Sequence, residues 1–339
     1  MIANSFQLPP RIENSLGEER KVGFEIEFSG LKIVEITEII QTLYGGTVEE
    51  ITPYKVKVRD TAHGTFGVEL DFRFLKEELL KRELQAIGLV EDEEDIAFIR
   101  EIEKLIATLS ATVVPYEIAT PPILITRLGV LDTLEERLRS AGALGTDASL
   151  VYAFGIHINP DVPAFEAELL VDYFKAFLIL YEWLVYTNKT DILRRITPYI
   201  RPFEEAYVAM VLAPDYQPDL PTFIDDYLTF NPTRNRPLDM LPLFKYFDPK
   251  KVEAAIDDPR ISARPTFHYR LPDCRIDRDV QNLVHAWNGW VEVERLAEDK
   301  RRLQRYANRY LEYLEDPFTI FEENWALQLE AMMQQEENR

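Results

Sequence analysis

Residues 23–28 read GFEIEF, two glutamates one residue apart in an apolar frame. Phe24, Ile26 and Phe28 alternate with Glu25 and Glu27, the two-residue period of a strand with one buried face. Residues i and i+2 of a strand share a face about 7 Å apart. Two carboxylates so placed repel each other, unless the face is simply wet or something positive sits above it.

The same design recurs along the chain. In FGVELD (66–71), Val68 and Leu70 oppose Glu69 and Asp71; in PYEIA (115–119), Tyr116 and Ile118 oppose Glu117. In FGIHIN (154–159), Phe154, Ile156 and Ile158 oppose His157 and Asn159; in TFHYR (266–270), Phe267 and Tyr269 oppose His268 and Arg270. One such strand is ordinarily a solvated face, and a lone strand histidine is more often structural than a ligand. Recurrence on five strands lifts the pattern above those readings, although alternation does not show that the strands are neighbours. If they share a sheet, its polar face gathers oxygen and nitrogen ligands suited to Mg²⁺ or Mn²⁺. Zinc fits less well, because thiolates are absent and carboxylates dominate. An arginine on that face would act as a fork for phosphate or carboxylate. No Walker loop, dinucleotide fingerprint or zincin motif occurs, so a nucleotide would be held by metals and arginines.

Working outward, residues 1–20 read as an irregular arm, and 21–28 as the first strand. Ser29 is a candidate cap for the helical pattern at 31–44, which Gly45 and Gly46 end. TVEEI, YKVKVRD and TFGVELDF predict a meander of strands. Residues 74–110 predict a helical hairpin, and TVVPYEIA a strand closed by Pro121 and Pro122. A helix at 126–141 and the strand VYAFGIHIN follow, then a mainly helical stretch at 163–260. RPTFHYRLP predicts the last strand, ahead of one long helix at 279–315 and a C-terminal helix. The expected fold is α+β: a single domain over 21–339, with helical insertions at about 74–110 and 163–260.

The 339 residues carry a net charge of −21, which argues against nucleic acid or an anionic membrane as a partner. Cys274 is the only cysteine, so no intrachain disulfide can form and a reducing compartment is expected. The N-terminus lacks the pattern of a signal peptide, and AFLILYEWLVY is too short to span a bilayer. A cytoplasmic protein is the expectation.

GFEIEF, YEIATPP, GIHINP and TFHYRLP, in that order, resemble the amidoligases of the glutamine synthetase and glutamate–cysteine ligase (carboxylate–amine ligase) superfamily. That family shows Glu-x-Glu, then Glu followed by Ser/Thr-Pro-Pro, then Gly-x-His-x-His, then Thr-x-Glu-x-Arg. The resemblance spans about residues 21–272. It implies a curved, mainly antiparallel sheet like the glutamine synthetase catalytic domain, with a polar active face and helices on the other. It also implies ATP held through Mg²⁺ (or Mn²⁺), and an amide formed through an acyl phosphate from small-molecule or peptide acids and amines.

Carried over residue by residue, Glu25, Glu27, Glu117 and His157 would be metal ligands. Asn159 stands where many members have a second histidine and would face phosphate, while Arg270 would contact the transferring phosphoryl group. Arg264 is a second phosphate contact by position. Glu69, Asp71 and Asp60 lie on a strand pair without a tight motif match; Glu69 is a candidate ligand, and Glu69 or Asp71 a candidate proton acceptor. His268 departs from the family pattern, replacing a glutamate that would ligate metal. Two other classes stay open on the same sheet: a guanidino kinase-like phosphoryl-transfer enzyme, and a degenerate ATP or peptide binder.

Overall fold

The computed structural model describes residues 5–70, 115–148, 154–190, 200–278, 281–315 and 324–337. The expected hairpin at 74–110, and Asp71 with it, lie outside the described residues.

Among the described residues the chain folds around a seven-stranded sheet whose pairings are antiparallel. Strand β1 (Lys21–Phe28) leads through helix α1 (Ile33–Tyr44) into the meander β2 (Thr47–Thr52), β3 (Lys55–Thr61) and β4 (Gly64–Leu70). Strands β5 (Tyr116–Ala119) and β6 (Ile123–Leu124) precede α2 (Val130–Ala141), and β7 (Ile156–Pro160) follows. The order is β2-β3-β4-β5-β1, with β6 continuing beside β1 past β5 and β7 on the opposite edge of β1. Pro121 and Pro122 separate β5 from β6 because they offer no backbone N–H to the ladder. Thr120 bridges the gap: its hydroxyl accepts the Phe24 N–H at 2.9 Å, and its own N–H reaches Phe24 O at 2.8 Å.

The apolar positions behave as the alternation predicts. Phe24, Ile26, Phe28, Val68, Ile118, Ile156 and Ile158 are buried in one core with residues of α1 and α2. Each such side chain contributes about 1.5–3 kcal/mol by leaving water. Behind β7 lies α8 (Asn282–Glu298), which packs on α3 (Ala167–Thr187), the apolar helix at the centre of the core. Between them in sequence run α4 (Glu205–Leu212), α5 (Leu220–Phe230), α6 (Leu241–Phe247) and α7 (Pro249–Ala255). Helices α9 (Lys300–Glu315) and α10 (Trp325–Glu337) close the chain. No helix among the described residues is long and apolar enough to cross a membrane.

Three expectations need correction. Ser29 does not cap α1; its backbone exchanges hydrogen bonds with Leu144, and the Glu35 carboxylate instead accepts the Lys32 N–H at 2.8 Å. The single helix at 279–315 is two, because Asp299 interrupts it. Its carboxylate accepts the Arg302 N–H at 3.0 Å, an N-cap that starts α9 afresh. The last predicted strand is only a series of single bridges, Asp161 to Thr266, Ile158 to Tyr269 and Gly155 to Asp273. Pro265 and Pro272 flank it and cannot donate, so no continuous ladder forms. The segment still extends the sheet past β7, and on its far side Asp239 N donates to His268 O at 2.9 Å.

The first residues described, from Ser5, run beside α8. Trp287 Nε1 donates to Gln7 O, and Asn288 bonds both Gln7 N and Ser5 O. At the end of this arm, Arg20 is fully buried and forms a two-pronged pair with Glu294 of α8, at 2.7 and 2.8 Å. The same guanidinium donates to Asp161 O, just beyond β7. Trp290 Nε1 completes the cage by donating to Glu294 at 2.7 Å.

Candidate metal centre on the polar face of the sheet

Register brings the sequence's scattered polar residues together. Glu25 pairs with Ala119 on one side and His157 on the other; Glu27 pairs with Glu117, and Glu117 in turn with Glu69. The row ends at Lys55, whose ammonium contacts the Glu69 carboxylate. One strand further, the Ile158–Tyr269 bridge sets His157 and Asn159 beside the segment carrying His268 and Arg270. Asp60 sits apart, exposed at a bulge of β3 with φ 56°.

Glu25 is the hub. Its Oε2 lies 2.9 Å from His157 Nδ1 and 3.7 Å from His268 Nε2. Its Oε1 accepts the Asn159 amide at 3.0 Å and lies 3.6 Å from Arg264. Arg264 also donates to Asn159 Oδ1 at 2.7 Å and meets His268 Nδ1 at 3.1 Å. Asp239 Oδ2 stands 3.7 Å from that same His268 nitrogen and is itself almost wholly buried. Glu27 belongs to the edge of the group: Oε2 accepts the Gly155 N–H at 2.8 Å, and Oε1 is 3.9 Å from His157 Nε2.

The titration behaviour follows from this packing. Burial alone would raise the Glu25 carboxyl, but the His157 hydrogen bond, with His268 and Arg264 nearby, holds it well below the ordinary range. Burial depresses both imidazoles; for His268 the adjacent Arg264, His157 and Arg270 depress it further, against Glu25. Burial raises Asp239 to about 6, against the pull of Arg270 and the Leu241 N–H. At neutral pH the hub is therefore a carboxylate beside two neutral imidazoles.

Glu25, His157 and His268 each offer a ligand atom within 4.8 Å of the others, the one such group among the described residues. His268 Nε2 is buried and has no hydrogen-bond partner. Two imidazoles and one carboxylate fit Mn²⁺, Fe²⁺ or Zn²⁺ better than Mg²⁺, which prefers oxygen. Glu27, Glu117 and Glu69 stand along the strands from this group rather than within it.

A cavity of about 850 Å³ opens over the hub, lined by Glu25, Glu69, Glu117 and His268 from the sheet side. Arg234, Arg260, Arg264 and Asp239 line it from the facing segments. Arg270 is buried, donates to the Arg234 carbonyl, and is not among the lining residues. The alternation argument found Glu25, Glu117, His157, Asn159 and His268, and position alone suggested Arg264. It missed Arg234, Arg260 and Asp239, which sit in irregular chain without a period to read.

The family model described as "Putative amidoligase enzyme" matches residues 18–292, most of the chain and all the strands of the face. The protein belongs to that family, whose description is that of a ligase. No curated protein and no solved structure matches it.

Proposed function

We propose that this protein is an ATP-dependent carboxylate–amine ligase, its sheet being of the glutamine synthetase catalytic type. The observation that carries the reading is the convergence of Glu25, His157 and His268 beneath an arginine-lined cavity, in a chain of the amidoligase family. A divalent cation held by Glu25, His157 and His268, with Glu27 beside them, would supply charge neutralisation for the phosphates of ATP.

The chain's own residues account for the rest. Arg264 and Arg234 face the cavity as planar donors and would hold phosphate oxygens during transfer, with Arg270 adding positive charge from behind them. A substrate carboxylate oxygen attacks the γ-phosphorus, the bond to ADP breaks, and an acyl phosphate results. An amine then attacks the acyl carbon and inorganic phosphate leaves. Glu117 or Glu69, both lining the cavity, would accept the amine's proton. Asn159, tied between Glu25 and Arg264, holds the two halves of the site in register.

The test is phosphate release by the purified chain with ATP, Mn²⁺ or Mg²⁺, and pooled acids and amines. Release that requires both an acid and an amine is the expected result. ADP formation with a guanidino acceptor alone, without free phosphate, would favour a kinase, and nucleotide binding without turnover a degenerate binder.

A further inference from the structure

The polar face continues past the hub into a second lobe of about 770 Å³, sharing Lys55 and Glu69 with the first. Lys21, Lys57 and His63 line it, with Gly67 and Ala119 as its floor. Lys55 is engaged with Glu69, but the ammonium groups of Lys21 and Lys57 have no carboxylate within 4 Å among the described residues. The remaining carboxylate, Asp161, accepts the Lys21 backbone N–H at 2.8 Å and lies beside Arg20. In a chain of net charge −21, this lobe is a local anion trap.

What separates these lysines from the hub is the second observation. Along β1, Gly23 stands between Lys21 and Glu25; across the strands, Gly67 and Ala119 stand between Lys57 and Glu25. The fold does not demand these glycines. A Cβ at Gly67 would meet Ala119 at 3.6 Å, and one at Gly23 would meet its neighbours at 3.9 Å, both ordinary contacts. Neither has a positive φ. Glycine inside a strand costs stability and marks places where something must approach the backbone closely. Here it leaves the paths from Lys57 and Lys21 to Glu25 without a large side chain between them.

We infer that this lobe is the acid-substrate subsite, and that it takes an extended acid carrying a second anionic group, such as an acidic peptide. The inference rests on the ligase reading for its direction: one carboxylate reaches the hub while the other is held by Lys57. Three strand spacings put the Lys57 and Glu25 backbones about 14 Å apart. Three residues of extended peptide cover about 10 Å, leaving the rest to the lysine and glutamate side chains.

Titration calorimetry on the full chain in Mn²⁺ tests this with three probes: succinyl-Ala-Ala, which has a carboxylate at each end, acetyl-Ala-Ala, which has one, and succinate, which is short. Succinyl-Ala-Ala should bind at least tenfold tighter than either control. Lys57→Met should erase that advantage. Gly67→Val should block the probe while raising or preserving the melting temperature, since valine suits a strand. Both variants should keep wild-type affinity for Mn²⁺. Equal binding of the three probes by wild type, or an undiminished advantage in both variants, overturns the subsite. So does a loss of Mg–ATP affinity in Lys57→Met with probe binding intact. A length preference without phosphate release would leave the subsite standing and remove the ligase reading. Ligation that accepts acetyl-Ala-Ala as readily as succinyl-Ala-Ala would do the reverse.

Discussion

Glu25→Gln keeps the shape of the side chain at the hub and removes its charge. Without metal, the wild-type carboxylate accepts from Asn159, faces His157 at 2.9 Å and has Arg264 at 3.6 Å. The amide keeps one acceptor but loses the charge-assisted part of these contacts, worth about 1.5 kcal/mol at a side chain that is 21% exposed. The EDTA-treated variant should therefore melt about 3 °C below wild type. The sign matters, because simple repulsion between Glu25 and Glu27 would predict the opposite. The difference should persist above about pH 4.5 and vanish as the pH falls through the depressed carboxyl value in the fold. With Mn²⁺ at a hundred times its dissociation constant, wild type gains about 2.7 kcal/mol, or roughly 5 °C. Losing the charged member of the Glu25, His157 and His268 group should weaken the site by at least about a hundredfold, since altering a mere outer-shell partner costs 10–100-fold. At the same Mn²⁺ concentration the variant would gain about 0.4 kcal/mol, less than about 1 °C. Differential scanning fluorimetry in EDTA and across an Mn²⁺ series reads both quantities. A variant with the full wild-type Mn²⁺ shift would show that Glu25 is no ligand. A variant that melts higher than wild type in EDTA would show that the carboxylate is repelled rather than held.

Asp239→Asn should weaken Mn²⁺ binding about 10–100-fold by loosening His268, whose Nδ1 faces that carboxylate; unchanged affinity in calorimetry would make Asp239 purely structural. Its folded-state value of about 6 lies above the unfolded one, so the stability it adds is complete below about pH 4 and lost as pH rises through 6. In EDTA the asparagine variant should accordingly gain on wild type between pH 4 and 7, and a constant gap would refute the assignment. Glu294→Ala leaves Arg20 charged, buried and unpaired, and should cost about 3–5 kcal/mol in urea unfolding; a loss under about 1 kcal/mol would mean the pair does not anchor the fold. Cys274 is fully buried and its thiol is pushed well above the ordinary value, so a disulfide reagent at pH 8 should label it only after unfolding. Labelling of the native chain within minutes would contradict the packing.

What the sequence disclosed was local. Alternation in GFEIEF, FGVEL and IHIN assigns strands and separates a polar face from an apolar one, because side-chain direction depends only on parity. It says nothing of which strand lies beside which, so the meeting of Glu25 with His157 required the antiparallel register of β1 and β7. Asp239 and Arg234 sit in NPTRNRPLDM, where prolines suppress any period; long-range backbone pairing of Asp239 with His268 brings them to the hub. The break at Asp299 was hidden because AEDKRR suits a helix interior by composition, and only the aspartate's cap on Arg302 ends one helix and begins the next. Lys21 and Lys57 acquire meaning only when glycine and alanine clear the floor between them and Glu25.

The buried Arg20–Glu294 pair bears on how accurately the hub can be assembled. Arg20 is the residue immediately before β1, and its guanidinium clasps the carbonyl of Asp161, immediately after β7. A slip of β1 against β7 by one residue would turn Glu25 and Glu27 into the core and Phe24 and Ile26 onto the wet face. It would also pull Arg20 off both Glu294 and Asp161, stranding a charge where no water reaches. The pair thus acts as a dowel, driven through the back of the sheet, that admits a single alignment of Glu25 with His157. Errors at the polar face are penalised on the other face of the sheet, so the ligating geometry can be set before any cation arrives.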